Sequence, residues 1–307
     1  MITDNRPFLL FCLLVLLVAC QQDEPQNIGP VSPNRGTVIR LDTIHSKYVK
    51  DRNIDVWLPQ GYVDLDEYQV LYMHDGQMLF DTSITWNQQA WHIDEAVQQL
   101  FEENKIPPTI VVGIWNTDLR HAEYFPQKPF ERLPASSQQK LSGEIQSDNY
   151  LRYIVEEVKP VIDAQFSTKP AAQHTFIGGS SLGGLISIYA LCEYPDVFGG
   201  AMCLSSHWIG FGPEEPNPIP QAFVDYLAAA LPDPSIHKIY FDFDFGTETL
   251  DQYYEPHQLS IDSVMIARDY DNRLWKTAKF PGADHSEKSW TKRLPIPLTF
   301  VLSSTPL

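Results

Sequence analysis

Residues 174–195 read HTFIGGSSLGGLISIYALCEYP. A short apolar run ending at Ile177 enters paired glycines around paired serines, and an apolar-periodic run leaves them and stops at Pro195. The first run reads as a buried strand over 174–177, and the second as a helix over 182–194 ended by the proline. Between them, Gly179-Ser180-Ser181-Leu182-Gly183 matches G-x-S-x-G. The string gains its meaning from its place between a strand and a helix. A serine at the tip of such a turn is pushed above the sheet edge at the helix start, and glycines on either side remove the clashes that side chains would make. Ser181 is therefore the candidate nucleophile, with Ser180 in the variable position. A glycine-serine linker would have neither the strand before it nor the helix behind it.

The same alternation runs outward in both directions. Strands are predicted over 37–48, 52–58, 68–73, 109–115, 201–205, 238–245 and 275–280, with helices over 89–102, 148–166 and 256–270 and another beginning at Ser286. A long polar stretch, 116–147, separates two of them. Strands alternating with helices imply an α/β fold, a doubly wound and mostly parallel sheet with helices on both faces. The two leading strands have no helix between them, so they are expected to form antiparallel N-terminal edge strands. One domain over 37–307 accounts for the pattern.

The 307 residues carry a net charge of −17, with 43% hydrophobic and 20% charged residues. Such a composition suits a globular domain with a substantial core. The acidity argues against a nucleic-acid partner, which needs clustered Lys and Arg. At the N-terminus, Arg6 precedes an apolar run from Phe8 to Ala19. A membrane-spanning helix needs ~20 apolar residues, so residues 1–19 read as a signal peptide instead. The ending Leu17-Val18-Ala19-Cys20 resembles a bacterial lipobox, which implies lipidation at Cys20. Residues 20–36, polar and rich in proline, read as a flexible tether. Contact with a membrane is thus expected only through an N-terminal lipid, in an exported lipoprotein of the outer membrane or cell surface. Cys192 and Cys203 lie in apolar runs and read as buried, reduced thiols. No His/Cys/Asp/Glu cluster has metal-ligand spacing, so neither metal nor cofactor is expected.

A serine hydroxyl is a poor nucleophile at neutral pH and needs a base. In proteins built around this turn the chain order is serine, acid, histidine. His207 comes too early to leave a strand for the acid, His237 precedes a strand at the opposite sheet end, and His257 falls near a helix start. His285 follows the last strand through a Pro-Gly loop, at the sheet edge that carries Ser181. The acid should follow strand 238–245, where Glu248 and Asp251 stand in the loop Gly246-Thr247-Glu248-Thr249-Leu250-Asp251. Either could orient His285. Asp242 and Asp244 lie within the strand and are expected to face a polar or helix-covered side. An oxyanion would be held by the amide of Leu182 and by one in the loop after strand 68–73, placed at Gln77. His74 and Asp75 are expected to fix that loop.

Together these residues resemble the esterase D-like family of α/β-hydrolases, which includes S-formylglutathione hydrolases, feruloyl and acetyl-xylan esterases, siderophore esterases and mycolyltransferases. The matching stretches are DVWLPQGY at 55–62, VLYMHDGQMLFD at 70–81, GGSSLGG at 178–184, GTETLD at 246–251 and GADHSEKSW at 282–290. The resemblance implies an α/β-hydrolase fold, Ser181 as nucleophile, His285 as base, and Gln77 with Leu182 as oxyanion donors. It favours Asp251 as the acid, because Asp251-Gln252-Tyr253 looks like the family's aspartate-Gln-aromatic stretch and lies 34 residues before the histidine. Glu248 stays open, since in much of the family the acid sits nearer the Gly-Thr pair. The expected activity is hydrolysis of a carboxylic ester, acyl esters of carbohydrate or small molecules first, with a siderophore trilactone or acyl transfer as alternatives. A non-catalytic surface-binding module is a further alternative. Arg120, Glu123 and Trp208 are candidate substrate contacts, though salt bridges and a packed tryptophan would explain them equally.

Overall fold

Stretches rich in Val, Ile, Leu and aromatics build one twisted sheet around which the helices pack. The computed structural model describes residues 36–64, 67–139, 145–210, 212–213, 216–242 and 250–303, with the backbone of 26–27 and 243–245. The expected signal peptide, Cys20 and the alternative acid Glu248 lie outside the described residues, as does most of the expected tether.

Among the described residues the strands are β1 (Gln26–Asn27), β2 (Thr37–Arg40), β3 (Ile54–Leu58), β4 (Gln69–His74), β5 (Thr109–Ile114), β6 (Thr175–Ser180), β7 (Gly200–Leu204), β8 (Lys238–Phe245) and β9 (Trp275–Pro281). Their order across the sheet is β1-β2-β3-β5-β4-β6-β7-β8-β9. The pairs β1–β2, β2–β3 and β3–β5 are antiparallel, and every later pair is parallel.

Side chains on successive residues of a strand point to opposite faces, so a continuous apolar run fills two cores at once. Val70, Tyr72, Val112, Ile177, Cys203 and Phe241 share one core with Ile154 and Ile162, Leu185 and Ile188, Phe223, and Met265, which come from four helical segments. Leu71, Met73, Val111, Phe176, Met202 and Tyr240 share the other with Val97, Leu100, Trp290 and Leu298. Strand order reverses between β4 and β6, which lie side by side while β5 lies outward of β4. In open α/β sheets the crevice at the carboxyl ends of strands at such a reversal is where ligands bind. The turns after β4 and β6 are therefore brought together there.

Several boundaries differ from the sequence expectation. The first long strand ends at Arg40 rather than at residue 48. Helix 89–102 begins only at Ile93, because His92 takes a left-handed backbone at φ 50°. The polar stretch 116–147 contains short helices at Arg120–Tyr124, Gln127–Glu131 and Ala135–Gln138. Helix Ile219–Ala230 was not foreseen. Its buried Ile219, Phe223, Tyr226 and Leu227 recur at helical spacing, a signal masked by the prolines just before it. Cys192 and Cys203 are free thiols.

Candidate active site

Strand β6 ends at Ser180, helix Leu182–Glu193 starts at Leu182, and Ser181 between them holds φ 58°, ψ −121°. A non-glycine residue there costs of order 1–3 kcal/mol and persists only when its surroundings fix it. Here the Ser181 N–H donates to the Leu204 carbonyl at 2.9 Å, and the Ser181 carbonyl accepts from the His207 N–H at 3.2 Å. The glycines permit the crossing: a Cβ on Gly179 would lie 3.1 Å from the Gly183 backbone. One on Gly184 would lie 2.6 Å from Ser206 Oγ. The N–H groups of Gly184 and Leu185 turn back to the Ser181 carbonyl. The Leu182 N–H, in the first helical turn, has no acceptor among the described residues.

After β4 the backbone turns at Asp75, φ 57°, into a short 3₁₀ turn, Gly76–Met78. A Cβ on Gly76 would fall 2.5 Å from the Gly113 carbonyl carbon, so only glycine allows the turn to press against β5. Gln77 sits on this turn, with its side-chain oxygen accepting from the Asn116 N–H at 3.1 Å. Its own amide has no acceptor among the described residues. Asp75 is gripped by Arg120 through Nε and Nη2 at 2.7 and 2.8 Å, and by Asn116 Nδ2 at 2.6 Å. Burial pushes the Asp75 carboxyl up, but the Arg120 guanidinium and the Asn116 amide outweigh it and hold the group below its usual range. His74 is buried, bonds to the Tyr150 hydroxyl through Nδ1 at 2.8 Å, and is lowered by burial to about 3.

On the far side of Ser181, Asp251 lies buried in the turn Leu250–Tyr253 after β8, and His285 follows β9. His285 Nδ1 meets Asp251 Oδ1 at 2.8 Å. The imidazole stands edge-on between the rings of Trp290 and Tyr254, with centroids at 5.1 and 6.1 Å. Burial lowers His285 to about 4, so the ring is neutral at pH 7. Burial raises Asp251, and the Ser205 hydroxyl opposes that rise. With Asp251 ionised, Nδ1 is the donor and Nε2 keeps its lone pair.

Behind this pair is a buried polar network that sequence reasoning missed. Arg293 grips Asp242 through Nε and Nη2, both at 3.0 Å, so Asp242 faces a helix-covered side. Ser205 Oγ accepts from Trp290 Nε1 at 3.0 Å and from Arg293 Nη2 at 3.1 Å. Trp290 and Arg293 are three residues apart and share a helix face, but no local pattern ties that face to Asp242.

Ser181 and His285 line one cavity of about 530 Å³. Met78, Trp86, Trp91 and Trp290 form an apolar wall, while Gln77, Asn116 and Arg120 are polar. Asp251 stands behind His285. Two expected substrate contacts are corrected. Glu123 is fully buried in a two-bond ion pair with Arg52, at 2.6 and 2.8 Å, and the Arg52 guanidinium lies over the rings of Tyr150 and Tyr153. Trp208 is 1% exposed, donates to Gln258 Oε1 at 2.9 Å and packs on Phe223 and Phe241. Neither reaches the cavity. Removing one member of a buried pair strands the other charge, which costs about 3–5 kcal/mol. Glu123→Gln is thus expected to lower unfolding free energy by about 3 kcal/mol, read by denaturant titration. A loss under about 1 kcal/mol would show that the pair is not a scaffold. Among the described residues no group of His, Cys, Asp and Glu could hold a metal ion.

A family model described as "Putative esterase" matches residues 46–298. The chain belongs to that esterase family. YbbA of Bacillus subtilis, an uncharacterized protein, is 28% identical over 162 residues, which are 52% of this chain and 58% of YbbA. The chain thus spans little more than half the length of that relative. An enterochelin esterase from Shigella flexneri is similar in structure at TM-score 0.63 and 16% identity, over 91% of this chain and 60% of that one. A feruloyl esterase module from Clostridium thermocellum, complexed with sinapinate, is similar at TM-score 0.62 and 17% identity, over 90% and 92%. The esterase-family chain shares with them the α/β-hydrolase fold, with its antiparallel N-terminal strands.

Proposed function

We propose that this esterase-family protein is a serine carboxylic-ester hydrolase acting on acyl esters of carbohydrate or small molecules, with Ser181, His285 and Asp251 as its triad. The observation that carries this reading is the convergence on one cavity of a strained Ser181 turn and the His285–Asp251 pair. Ser181 Oγ attacks the ester carbonyl as His285 Nε2 takes its proton, and Asp251 stabilises the imidazolium through Nδ1–H. The tetrahedral oxyanion is held by the amides of Gln77 and Leu182, each such donor contributing about 3 kcal/mol. The imidazolium then returns its proton to the departing alcohol, and water attacks the acyl-enzyme by the same route in reverse. Fluorophosphonate labelling tests this. The adduct should map to Ser181 in a protein that hydrolyses 4-nitrophenyl acetate, and an unlabelled Ser181 would sink the reading.

The pH dependence follows from burial. A protonated imidazole cannot accept the serine proton, and His285 is lowered to about 4. The acid limb of kcat/KM is therefore expected to be displaced downward by burial of the imidazole, with a midpoint that belongs to the His285–Asp251 pair. A limb at or above ~6.5 in the measured profile would mean that the Asp251 carboxylate, 2.8 Å from Nδ1, outweighs the burial.

A further inference from the structure

Trp86 is 85% exposed, yet it lines the same cavity as Ser181 and His285. Lone exposed hydrophobics are ordinary on a surface, but the loop that carries this one is held in place. Thr85 is buried and its hydroxyl donates to the Thr82 carbonyl at 2.9 Å. The Gln89 N–H donates to Asn87 Oδ1 at 3.1 Å. Two bonds then clamp this loop to the helix that follows His285: Asn87 Nδ2 donates to Glu287 Oε2 at 2.8 Å, and the Lys288 N–H donates to Gln89 Oε1 at 3.2 Å. Among the described residues, Glu287 Oε1 and the Gln89 side-chain amide nitrogen have no hydrogen-bond partner.

The side of the cavity decides what this wall meets. The imidazolium must hand its proton to the departing alcohol oxygen, so the alcohol half of the ester lies on the His285 side of Ser181. The Trp86 loop is fastened to that side, through Asn87 and Gln89 to the helix that follows His285. We propose that Trp86 is a stacking platform for the alcohol half of the substrate, a sugar ring, with Glu287 and Gln89 bonding its hydroxyls. An indole face offers a large rigid apolar surface to the C–H face of a pyranose, and the flanking acceptor and donor suit its equatorial hydroxyls. This rests on the ester-hydrolase reading above and names the substrate class.

The test compares esters that share an acyl group and differ in alcohol: mono-acetylated xylotriose and methyl acetate. Trp86→Ala is expected to lower the ratio of their kcat/KM values about tenfold, the scale of one aromatic stack, and Trp86→Tyr should recover most of it. An unmoved ratio in Trp86→Ala overturns the platform. Calorimetric titration of xylotriose itself, which has no ester, separates this from hydrolysis. Binding by the native protein that is lost in Trp86→Ala upholds the platform even if no ester is cleaved, an outcome that would sink only the hydrolase reading. No binding of the sugar by the native protein overturns the platform.

Discussion

Replacing Ser181 by alanine is expected to lower kcat for ester hydrolysis on the order of 10⁶-fold, the loss seen when a nucleophile of this kind is removed. It should also abolish fluorophosphonate labelling. The change deletes one oxygen and leaves the Cβ, so the residue meets the same backbone constraint at φ 58°. The hydrogen bonds that hold the turn use the Ser181 N–H and carbonyl and are untouched. Thermal unfolding should accordingly stay near that of the native protein, which separates lost chemistry from lost fold. Residual activity above about 1% would mean that Ser181 is not the nucleophile.

The second large effect belongs to the acid. Asp251→Asn is expected to reduce kcat about 10⁴-fold, because an amide facing Nδ1 favours the tautomer with its proton on Nε2, where the serine proton must go. Glu248→Ala is expected to stay within about threefold of the native rate, in line with a substitution outside the machinery. The reverse result, with Glu248→Ala inactive and Asp251→Asn active, would transfer the role. Between these two carboxylates the residue pattern was evenly divided, and only the resemblance leaned to Asp251. The 2.8 Å contact with His285 Nδ1 is a tertiary fact. It depends on the turn after β8 and the loop after β9 arriving together, and no periodicity in the sequence encodes that meeting.

The misjudged contacts share one cause. Glu123 and Trp208 fall in stretches that look like polar loop, where an acid or an indole suggests a ligand. Each is instead neutralised from a distance, by Arg52 across 71 residues and by Gln258 across 50. Arg120, of the same appearance in sequence, does line the cavity, because its partner Asp75 stands on the turn after β4.

What the sequence determined by itself was whatever is written locally. Apolar runs of strand length, helical spacing behind them and a glycine-flanked serine between two such runs are short-range signals, and they specified the α/β order and singled out Ser181. Topology extended this to His285, since a parallel sheet gathers the ends of successive strands on one edge. The rest was decided by tertiary packing: which carboxylate meets the imidazole, which charges are cancelled, and which aromatics face the cavity. Trp290, closed against His285 and Ser205, and Trp86, left open at the rim, are the same residue type with opposite exposures, 4% and 85%. Burial is set by elements distant in the chain, and a side chain's own neighbours in sequence do not carry that information.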